Sequence, residues 1–467
     1  MDQETSAAHG MTFSILDSAA TILAPRVGSL ALAGRKTIST PHYVPLTSRG
    51  AVSHIAHDVM RKNTEINSFY LGLEDFIEKK HPAPVYLTPV SNGQSPLRRF
   101  ISAPDDIPLI FAPRRFPALP CPPVNTDTSI AIQTSVGFRQ LSAHYYVDAI
   151  QKLKPDIAIG MADLVLGRPP GVKRRGKMVD RTHAFTRDAL ERLYGDHVPE
   201  EQRSKASYFA PVLPLENTQQ SLYLGDLESE FRDHLSGLAL YESSSLSSVP
   251  EDLGYLPRLL LSEPSNPQEV LREISLGADL LTVPFIGTAS DAGIVLDFSF
   301  PVVSQDQNGS RPPLGINLWL PEYAKDVSPM RKGCACYACQ HHHRAYINHL
   351  LSAKEMTAWV LLQQHNHHVM DRFFAGVRES IQRGSFEEDM QAFTRVYAPT
   401  LPERTGEGPR LRGYQLPAPG PNQPRRMPRI YGRLDEAKQK YAESLSSVAT
   451  PDTDAEGLER HGFAEKA

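Results

Sequence analysis

Short apolar runs alternate with longer amphipathic runs along most of this chain. Runs with the length and the apolar or β-branched composition of buried strands cover residues 42–47, 65–71, 84–88, 156–163, 208–215, 236–242, 258–263 and 279–284. Helical patterns lie between several of them, over residues 143–153, 178–195 and 266–277. The last helix is predicted to begin after Asn266 and Pro267, a capping residue followed by proline. Repeated alternation of this kind predicts a parallel sheet covered by helices.

A closed barrel explains this alternation better than an open nucleotide-binding sheet. No glycine-rich fingerprint follows any of the predicted strands. The length of the chain also suits a (β/α)₈ barrel with additions. We therefore predict an α/β fold built on an irregular (β/α)₈ barrel.

Two proline-rich stretches interrupt the pattern. Residues 89–128 are predicted to form an irregular excursion from the barrel. From about Pro399 onward, proline, glycine and charged residues dominate, and a short helical pattern at 434–447 precedes a polar end. This composition predicts a disordered tail with one short helix, and a solvated charged surface is the expected role of its arginines.

Composition restricts the classes of function. The chain has 467 residues, of which 40% are hydrophobic and 22% charged, with a net charge of −4. We expect no DNA binding, and any RNA contact must be local, because no overall positive field is present. No apolar run reaches the ~18 residues of a membrane span, and the start of the chain lacks a secretory signal pattern. Three of the four cysteines are clustered, so a disulfide framework is excluded and a reducing cytoplasm is expected.

The clustered cysteines indicate a metal site. Cys334, Cys336 and Cys339 form the pattern Cys-x-Cys-x₂-Cys. Three thiolates so close in sequence can surround one cation, and zinc bound by three cysteines and a histidine is a common structural solution. The alternative is a chance group of thiols that bind nothing.

The fourth ligand must come from the histidines that follow. Residues 344–368 are predicted to form one long helix, and His365 lies on its apolar face beyond Leu361 and Leu362. A histidine buried there must bind a metal or find a hydrogen bond, so a satisfied core histidine is the alternative. We predict His365 as the fourth ligand, with His368 and His343 as the other candidates. Four protein ligands leave no open position, which indicates a structural zinc ion.

The stretch CACYACQHHHRAYINHLLSAKEMTAWVLLQQHN resembles the zinc-binding signature of the tRNA-guanine transglycosylases. Further similarity lies in residues 26–52, 181–193 and 370–393, and the match covers about residues 11–397. The resemblance implies a TIM-type barrel with a zinc-binding insertion and C-terminal helices. It divides the chain into a flexible N-terminus over residues 1–10, a barrel over 11–397 that includes a zinc-binding subdomain at 330–397, and a tail over 398–467.

The catalytic positions of that family are not matched. Its aspartate nucleophile would fall at Thr282, and threonine without an adjacent base is a poor substitute. Its general-base aspartate would fall at Pro89, which has no proton to transfer. Asp279, Asp291 and Asp297 are the nearby carboxylates that could have taken over, and a structural role is expected for Asp279.

Other parts of the family's site are also altered. Its guanine-reading aspartate would fall at Ala162, with Asp163 one place away, and Tyr241 replaces a glycine and should narrow the pocket. Residues 284–300 contain no arginine or lysine where the family has a basic run that grips the anticodon loop. Fewer phosphate contacts imply a weaker direct grip on RNA.

A preserved zinc site beside an emptied active site resembles the non-catalytic accessory subunits of eukaryotic queuine tRNA-ribosyltransferases. This resemblance implies a heterodimer with a catalytic homologue that exchanges guanine for queuine at position 34 of tRNAs with GUN anticodons. The zinc region would form part of the dimer interface. The resemblance also implies a cytoplasmic protein with peripheral contact at the mitochondrial outer membrane. Candidate tRNA contacts are Lys173, Arg174, Arg175 and Lys177, unless they are plain solvated surface.

Two other functions remain open at this point. One is an active transglycosylase whose carboxylates have moved, and the other is a zinc-stabilised RNA-binding scaffold without a transglycosylase partner.

Overall fold

The computed structural model describes residues 5–17, 23–77, 82–91, 93–121, 124–134, 137–167, 169–302 and 311–409. Residues 1–134 and 138–409 belong to one compact unit. The other unit, 135–137 and 410–467, lies almost entirely outside the described residues, as does the helix predicted at 434–447.

The described residues form eighteen strands and eleven α-helices. The strands are β1 Thr5–Ala8, β2 Met11–Asp17, β3 Val27–Leu32, β4 Ile38–Thr40, β5 His42–Val44, β6 Thr47–Ser48, β7 Ala51–Val52, β8 Phe69–Gly72, β9 Leu109–Ala112, β10 Ser129–Thr134, β11 Gly137–Ser142, β12 Ile157–Ile159, β13 Ser207–Val212, β14 Gly237–Leu240, β15 Arg258–Leu260, β16 Leu280–Thr282, β17 Ile294–Leu296 and β18 Gly315–Asn317. The helices are α1 His57–Asn63, α2 Pro96–Phe100, α3 Ala143–Leu153, α4 Val172–Tyr194, α5 Asn217–Glu228, α6 Pro267–Ser275, α7 Phe285–Asp291, α8 Tyr337–His341, α9 Arg344–Ser352, α10 Met356–Gln382 and α11 Phe386–Val396.

Eight of these strands form a parallel sheet that is nearly closed into a barrel. Its order is β5-β16-β15-β14-β13-β12-β9-β8. The two edges meet where Leu46 pairs with Tyr70, and the backbone nitrogen of Tyr70 donates to the carbonyl oxygen of Pro45 at 3.1 Å. The predicted barrel is therefore confirmed.

The barrel interior is filled by side chains that alternate along the strands. Successive side chains of a strand point to opposite faces, so every second residue enters the interior. One buried cluster contains the inward residues Ile110, Ala112, Ile157, Ile159, Phe209, Ala239, Leu259 and Leu280. It also contains apolar residues of β2 and β3, such as Phe13 and Leu30, so the antiparallel sheet β1-β2-β3-β4 packs against this interior.

The proline-rich stretch was predicted wrongly in part. Residues 84–88 are not a strand, because Pro84–Leu87 form a short 3₁₀ helix. Within residues 89–128, predicted to be irregular, lie helix α2 and the third barrel strand, β9. β9 has only four residues between Pro108 and Pro113, and prolines at both ends of a strand remove no hydrogen bond inside it. Because prolines flank it on both sides, the sequence pattern did not predict this strand.

The long helix predicted over residues 344–368 is also wrong, because two helices occupy this stretch. α9 ends at Ser352 and α10 begins at Met356. Lys354 lies between them in the left-handed region, with φ of +59°. No glycine or proline marks the break. The turn is instead closed by the backbone nitrogens of Ala353 and Glu355, which donate to carbonyl oxygens of α9. Because α10 begins at Met356, its own turns, and not those of α9, determine which face of the helix carries His365.

Residues 398–409 pack along the body of the protein. The side-chain amide of Asn317 donates to the carbonyl oxygen of Glu403 and to the hydroxyl of Thr405, both at 2.8 Å. Gly406 lies against the ring of Trp319, in the space that a side chain would need. The domain boundaries drawn from the sequence stay predictions. Within the described residues, none of the helices combines the length and the apolar composition needed to cross a membrane.

Candidate functional site

The side chains of Cys334, Cys336, Cys339 and His365 form a compact cluster. One ligand atom from each lies within 4.8 Å of the other three. Nδ1 of His365 lies 3.8, 3.4 and 3.3 Å from the sulfur atoms of the three cysteines in sequence order. In a tetrahedral site with zinc–sulfur bonds of about 2.3 Å and zinc–nitrogen bonds of about 2.0 Å, this edge would be about 3.6 Å long. The four side chains could therefore hold one metal ion.

A hydrogen bond to the ring nitrogen that points away from the cysteines fixes the orientation of the His365 ring. Nε2 of His365 lies 3.0 Å from the carbonyl oxygen of Leu296 in β17, so Nε2 carries the proton and leaves Nδ1 free to bind a metal. The neighbouring Asn366 holds the same strand, because its side-chain oxygen accepts from the backbone nitrogen of Leu296 at 2.9 Å. Its amide group donates to the hydroxyl of Ser290 and the carbonyl oxygen of Ile294. The His-Asn pair thus attaches α10 to the barrel and orients a ligand.

The cysteines are positioned by the start of α8. The sulfur atom of Cys336 accepts a hydrogen bond from the backbone nitrogen of Cys339 at 3.4 Å and so caps the helix. Arg331, just before Cys334, forms an ion pair with Asp297 at 3.0 Å. All three cysteines are buried in a cluster with residues of α9 and α10, including Trp359. An ion bound here would join the loop, α8 and α10.

The electrostatics of the cluster favour a cation. Burial lowers the pKa of His365, but its contacts with Cys334 and Cys339 outweigh burial and raise the pKa to about 9. A positive charge between these side chains is therefore stabilised by thiolate character on the sulfur atoms. A bound dication would replace the proton that is otherwise held there.

The other candidate histidines have different places. His343 caps α9, since its Nδ1 accepts from the backbone nitrogen of Tyr346 at 3.1 Å. His341 stacks on Tyr337 with 4.5 Å between ring centroids, and His342 stacks on Tyr346 at 5.3 Å. Neither His343 nor His368 belongs to the four-residue cluster.

A cavity of about 730 Å³ lies at the end of the barrel where the parallel strands finish. Its walls include Arg114, Ala162, Tyr241, Ser262, Glu263 and Glu273. Barrels of this type carry their active sites at this end, because the loops after the strands converge there. We call this cavity the barrel mouth.

Thr282, at the implied position of the nucleophile, is buried at the end of β16. Its hydroxyl donates to the backbone carbonyl oxygen of Ser262 at 2.8 Å. The hydroxyl proton is thus bound to a carbonyl group and not to a base, so nothing activates the oxygen for attack. Thr282 does not contribute to the described wall of the barrel mouth.

Pro89 lies away from the barrel mouth. It is exposed and follows a 3₁₀ helix, whereas its assignment to the general-base position assumed a strand at 84–88. β9 is the strand that delivers residues to the cavity in this part of the chain, and Pro113 follows it directly. Gly72 makes this turn possible, because a Cβ atom there would lie 2.4 Å from the backbone nitrogen of Arg115. A proline stands at the end of this strand as well, so no carboxylate is supplied.

Asp163 is turned away from the cavity. It is fully buried, and Arg174, Arg181 and Asn125 all donate to its carboxylate. Burial would raise the pKa of Asp163, but the hydrogen bonds from Arg174 and Asn125 outweigh burial and hold it below its usual range. Ala162 lines the cavity with a methyl group instead. The carboxylate next to the guanine-reading position is thus structural.

The four candidate tRNA contacts divide into two pairs on α4. Lys173 and Lys177 are exposed. Arg174 is bound to Asp163, and Nε of Arg175 donates to the carbonyl oxygen of Pro170 at 3.1 Å. The lysines are free to meet a phosphate, whereas the arginines hold the loop between β12 and α4.

The carboxylates considered as replacements pair elsewhere. Asp279 pairs with Arg26 at 2.6 Å, Asp291 with His54 at 2.7 Å and Asp297 with Arg331 at 3.0 Å. None of the three aspartates lines the described part of the barrel mouth. Glutamates do line it, namely Glu242, Glu263, Glu269 and Glu273, and they were not predicted from the sequence. Continuing the two-residue period beyond β15 would have placed Glu263 in the mouth after Leu259 and Leu261.

Glu273→Gln is expected to remove a pH-dependent loss of stability. Burial raises the pKa of Glu273 to about 7, although the neighbouring hydroxyl of Ser262 acts against burial. Because this folded pKa lies above the unfolded value, the stabilising contribution is greatest at low pH and is lost as pH rises through about 7. Between about pH 5.5 and 8 the wild type should lose on the order of 1–3 kcal/mol more stability than the variant in urea unfolding. The exposed Glu216→Gln is the control, and an equal decline in wild type and Glu273→Gln would contradict the prediction.

Comparison with known proteins places the chain in a family. The sequence model of the queuine tRNA-ribosyltransferase family matches residues 22–399. A protein of Schizosaccharomyces pombe named queuine tRNA-ribosyltransferase accessory subunit 2 is 35% identical over 383 residues, which cover 82% of this chain and 83% of that protein. Proteins with the same name from Homo sapiens and Gallus gallus are 26% and 24% identical, over 76% and 78% of this chain and 92% and 93% of their own lengths. Since the match spans both the barrel and the metal cluster, this chain belongs to the queuine tRNA-ribosyltransferase family.

Proposed function

We propose that this chain is the non-catalytic subunit of a heterodimeric queuine tRNA-ribosyltransferase. Its partner is a catalytic homologue, and the pair exchanges guanine for queuine at wobble position 34 of tRNAs with GUN anticodons (Asp, Asn, His, Tyr). The chain completes the dimer and helps to position the tRNA. Its cysteine–histidine cluster holds one zinc ion in a structural role. The complex works in the cytoplasm, with peripheral contact at the mitochondrial outer membrane.

One observation carries this proposal. The barrel and the metal cluster are intact, but the hydroxyl at the implied nucleophile position, Thr282, is buried and bound to a carbonyl oxygen. Covalent base exchange needs a nucleophile that can reach the sugar, and Thr282 is not among the residues that line the barrel mouth. The names of the relatives, accessory subunit 2, agree with a supporting role.

A base-exchange assay tests the proposal. The purified chain, a catalytic homologue and their mixture are each incubated with a GUN tRNA and labelled guanine. We expect exchange with the mixture and none with this chain alone. Thr282→Ala in this chain should leave exchange by the mixture unchanged, because the hydroxyl takes no part. Exchange by this chain alone, or no effect of this chain on its partner, would refute the proposal.

The partner interface is proposed to include the exposed aromatic patch beside the metal cluster, formed by Tyr337, His341, His342 and Tyr346. Tyr337 is 43% exposed and Tyr346 37% exposed, and each stacks on a histidine. Rigid aromatic side chains with large exposed faces are frequent anchors of protein interfaces.

Replacing both tyrosines by alanine is expected to weaken heterodimer formation about 30-fold or more, since central aromatic anchors contribute about 2 kcal/mol or more. Titration calorimetry with the catalytic homologue measures the effect. Leu222→Ala, on helix α5 of the barrel and 82% exposed, is the matched control. Metal content must stay unchanged in the double variant, and an unchanged dissociation constant would exclude this patch.

Replacing Lys173 and Lys177 together by alanine is expected to weaken tRNA binding by the heterodimer without changing its sequence preference. Each lost phosphate contact reduces the slope of log K against log salt concentration by about one in magnitude. Lys152 and Lys205 are the matched control, because both are exposed and lie at the opposite end of the barrel. If the slope of log K against log salt concentration does not change in the Lys173 and Lys177 variant, these lysines contact no phosphate and are only solvated surface.

Because glutamates line the barrel mouth, one alternative function is worth testing, namely an active transglycosylase with relocated carboxylates. Burial raises the pKa of Glu263, which faces the cavity. Exchange by the isolated chain that is abolished by Glu263→Gln would establish this alternative.

A further inference from the structure

Arg114 is a buried cation in the barrel mouth that forms no direct ion pair with the described residues. It is 8% exposed and lines the cavity. Its Nη2 donates to the carbonyl oxygen of Ala131 at 2.8 Å, whereas its Nε is buried without an acceptor. Within the described part of the chain, no carboxylate lies at ion-pair distance from it. Glu74 is near enough to interact with the charge of Arg114 but pairs with Arg115, as does Asp75. A buried charge without a direct partner is unfavourable, so the site is suited to an anion.

Tyr241 adds a second donor to the barrel mouth. Its side chain faces the cavity, and among the described residues its hydroxyl has no hydrogen-bond partner. Arg114 and Tyr241 each lie two residues after an inward-facing alanine, Ala112 in β9 and Ala239 in β14, so the same alternation carries both into the mouth. Burial raises the pKa of Tyr241 and the positive charge of Arg114 acts against burial, which is consistent with their proximity.

Acceptors line the mouth as well. Glu263 and Glu273 line it, with Ser262 beside them. The Oε2 atom of Glu273 and the hydroxyl of Ser262 are buried without a partner that satisfies hydrogen-bond geometry. The cavity therefore presents both donors and carboxylates. The carboxylates would repel a ligand that carries only negative charge, whereas a ligand that combines an anionic group with hydroxyl groups can pair with both.

We propose that the barrel mouth binds a small organic oxyanion, a phosphate or carboxylate attached to a hydroxylated body. Arg114 and the hydroxyl of Tyr241 bind the oxyanion, and Glu263 accepts hydrogen bonds from the hydroxyl groups. A guanidinium and a phenol are a suitable pair for this, because charge-assisted hydrogen bonds to oxyanions are strong. The volume of about 730 Å³ is that of an ordinary small-molecule site. This site needs neither tRNA nor a partner subunit, so it is independent of the proposed function.

Titration calorimetry with the full-length chain tests the site. The probes are ribose 5-phosphate and gluconate, which carry a phosphate and a carboxylate, together with ribose and inorganic phosphate as their separate parts. We expect saturable binding of ribose 5-phosphate or gluconate, at least about tenfold tighter than of ribose or of phosphate alone. The tighter of the two identifies the anion. Arg114→Gln should weaken it at least about tenfold, and Tyr241→Phe about threefold or more.

Arg272→Gln is the matched control, because Arg272 is exposed at the rim of the same cavity and should change affinity less than about threefold. If Arg114→Gln does not fold, Tyr241→Phe decides alone, since it removes one hydroxyl group. No saturable binding of either sugar derivative, or equal affinities in wild type and both cavity variants, would overturn the proposal. Binding of inorganic phosphate as tight as that of ribose 5-phosphate would overturn the hydroxylated ligand.

Discussion

Cys336→Ser is expected to remove about one zinc ion per chain and to unfold the region around α8. Binding of structural zinc contributes about 10–16 kcal/mol in zinc-finger peptides, which is comparable to the total stability of a domain. In this protein the ion would join the loop before α8 to the middle of α10. Metal analysis of the purified protein measures the loss, and limited proteolysis should then cut within 330–345.

Matched variants distinguish the ligands from their neighbours. His365→Ala should lose the metal, whereas His343→Ala should keep it and lose only the cap of α9. Cys121→Ser is the control for cysteine replacement, because Cys121 is half-buried and lies outside the cluster. If Cys336→Ser keeps its metal, the four-ligand assignment is wrong.

Asp279→Ala is expected to lower the free energy of unfolding by about 3–5 kcal/mol. The carboxylate of Asp279 is fully buried and accepts from Nε and Nη2 of Arg26 at 2.9 and 2.6 Å and from the backbone nitrogen of Arg258 at 2.8 Å. Its removal leaves the guanidinium of Arg26 buried without a counter-ion, and this uncompensated charge is the main source of the loss. Urea unfolding measures the effect.

Two further variants test that reason. Adding Arg26→Met to Asp279→Ala should recover part of the lost stability, because the unpaired charge is then removed as well. Asp233→Ala, at an exposed position, should change stability by no more than about 0.5 kcal/mol. A small effect of Asp279→Ala on stability, together with lost base exchange by the chain itself, would instead make Asp279 catalytic.

Much of the barrel could be predicted because its signals are local. The helices at 143–153 and 266–277 have capping residues at their starts and one apolar face, and both are found, as Ala143–Leu153 and Pro267–Ser275. Seven of the eight barrel strands lie within predicted runs or overlap them. β9 was missed because four apolar residues between prolines carry too little signal. The break between α9 and α10 was missed because a lysine, and not a glycine, adopts the left-handed conformation there.

The sequence by itself determined the family, the barrel and the four residues of the candidate metal site, because the cysteine spacing and the strand–helix alternation each lie within short stretches. Only the tertiary structure decided which groups meet in the barrel mouth. There the guanidinium of Arg114 lines one cavity with Tyr241, Glu263 and Glu273, although Arg114 is far from the other three in sequence. The tertiary structure also decided that Thr282 donates to a backbone carbonyl and that Asp163 accepts hydrogen bonds from two arginines. Such outcomes depend on strand register and closure of the sheet, which bring together residues that no sequence pattern connects.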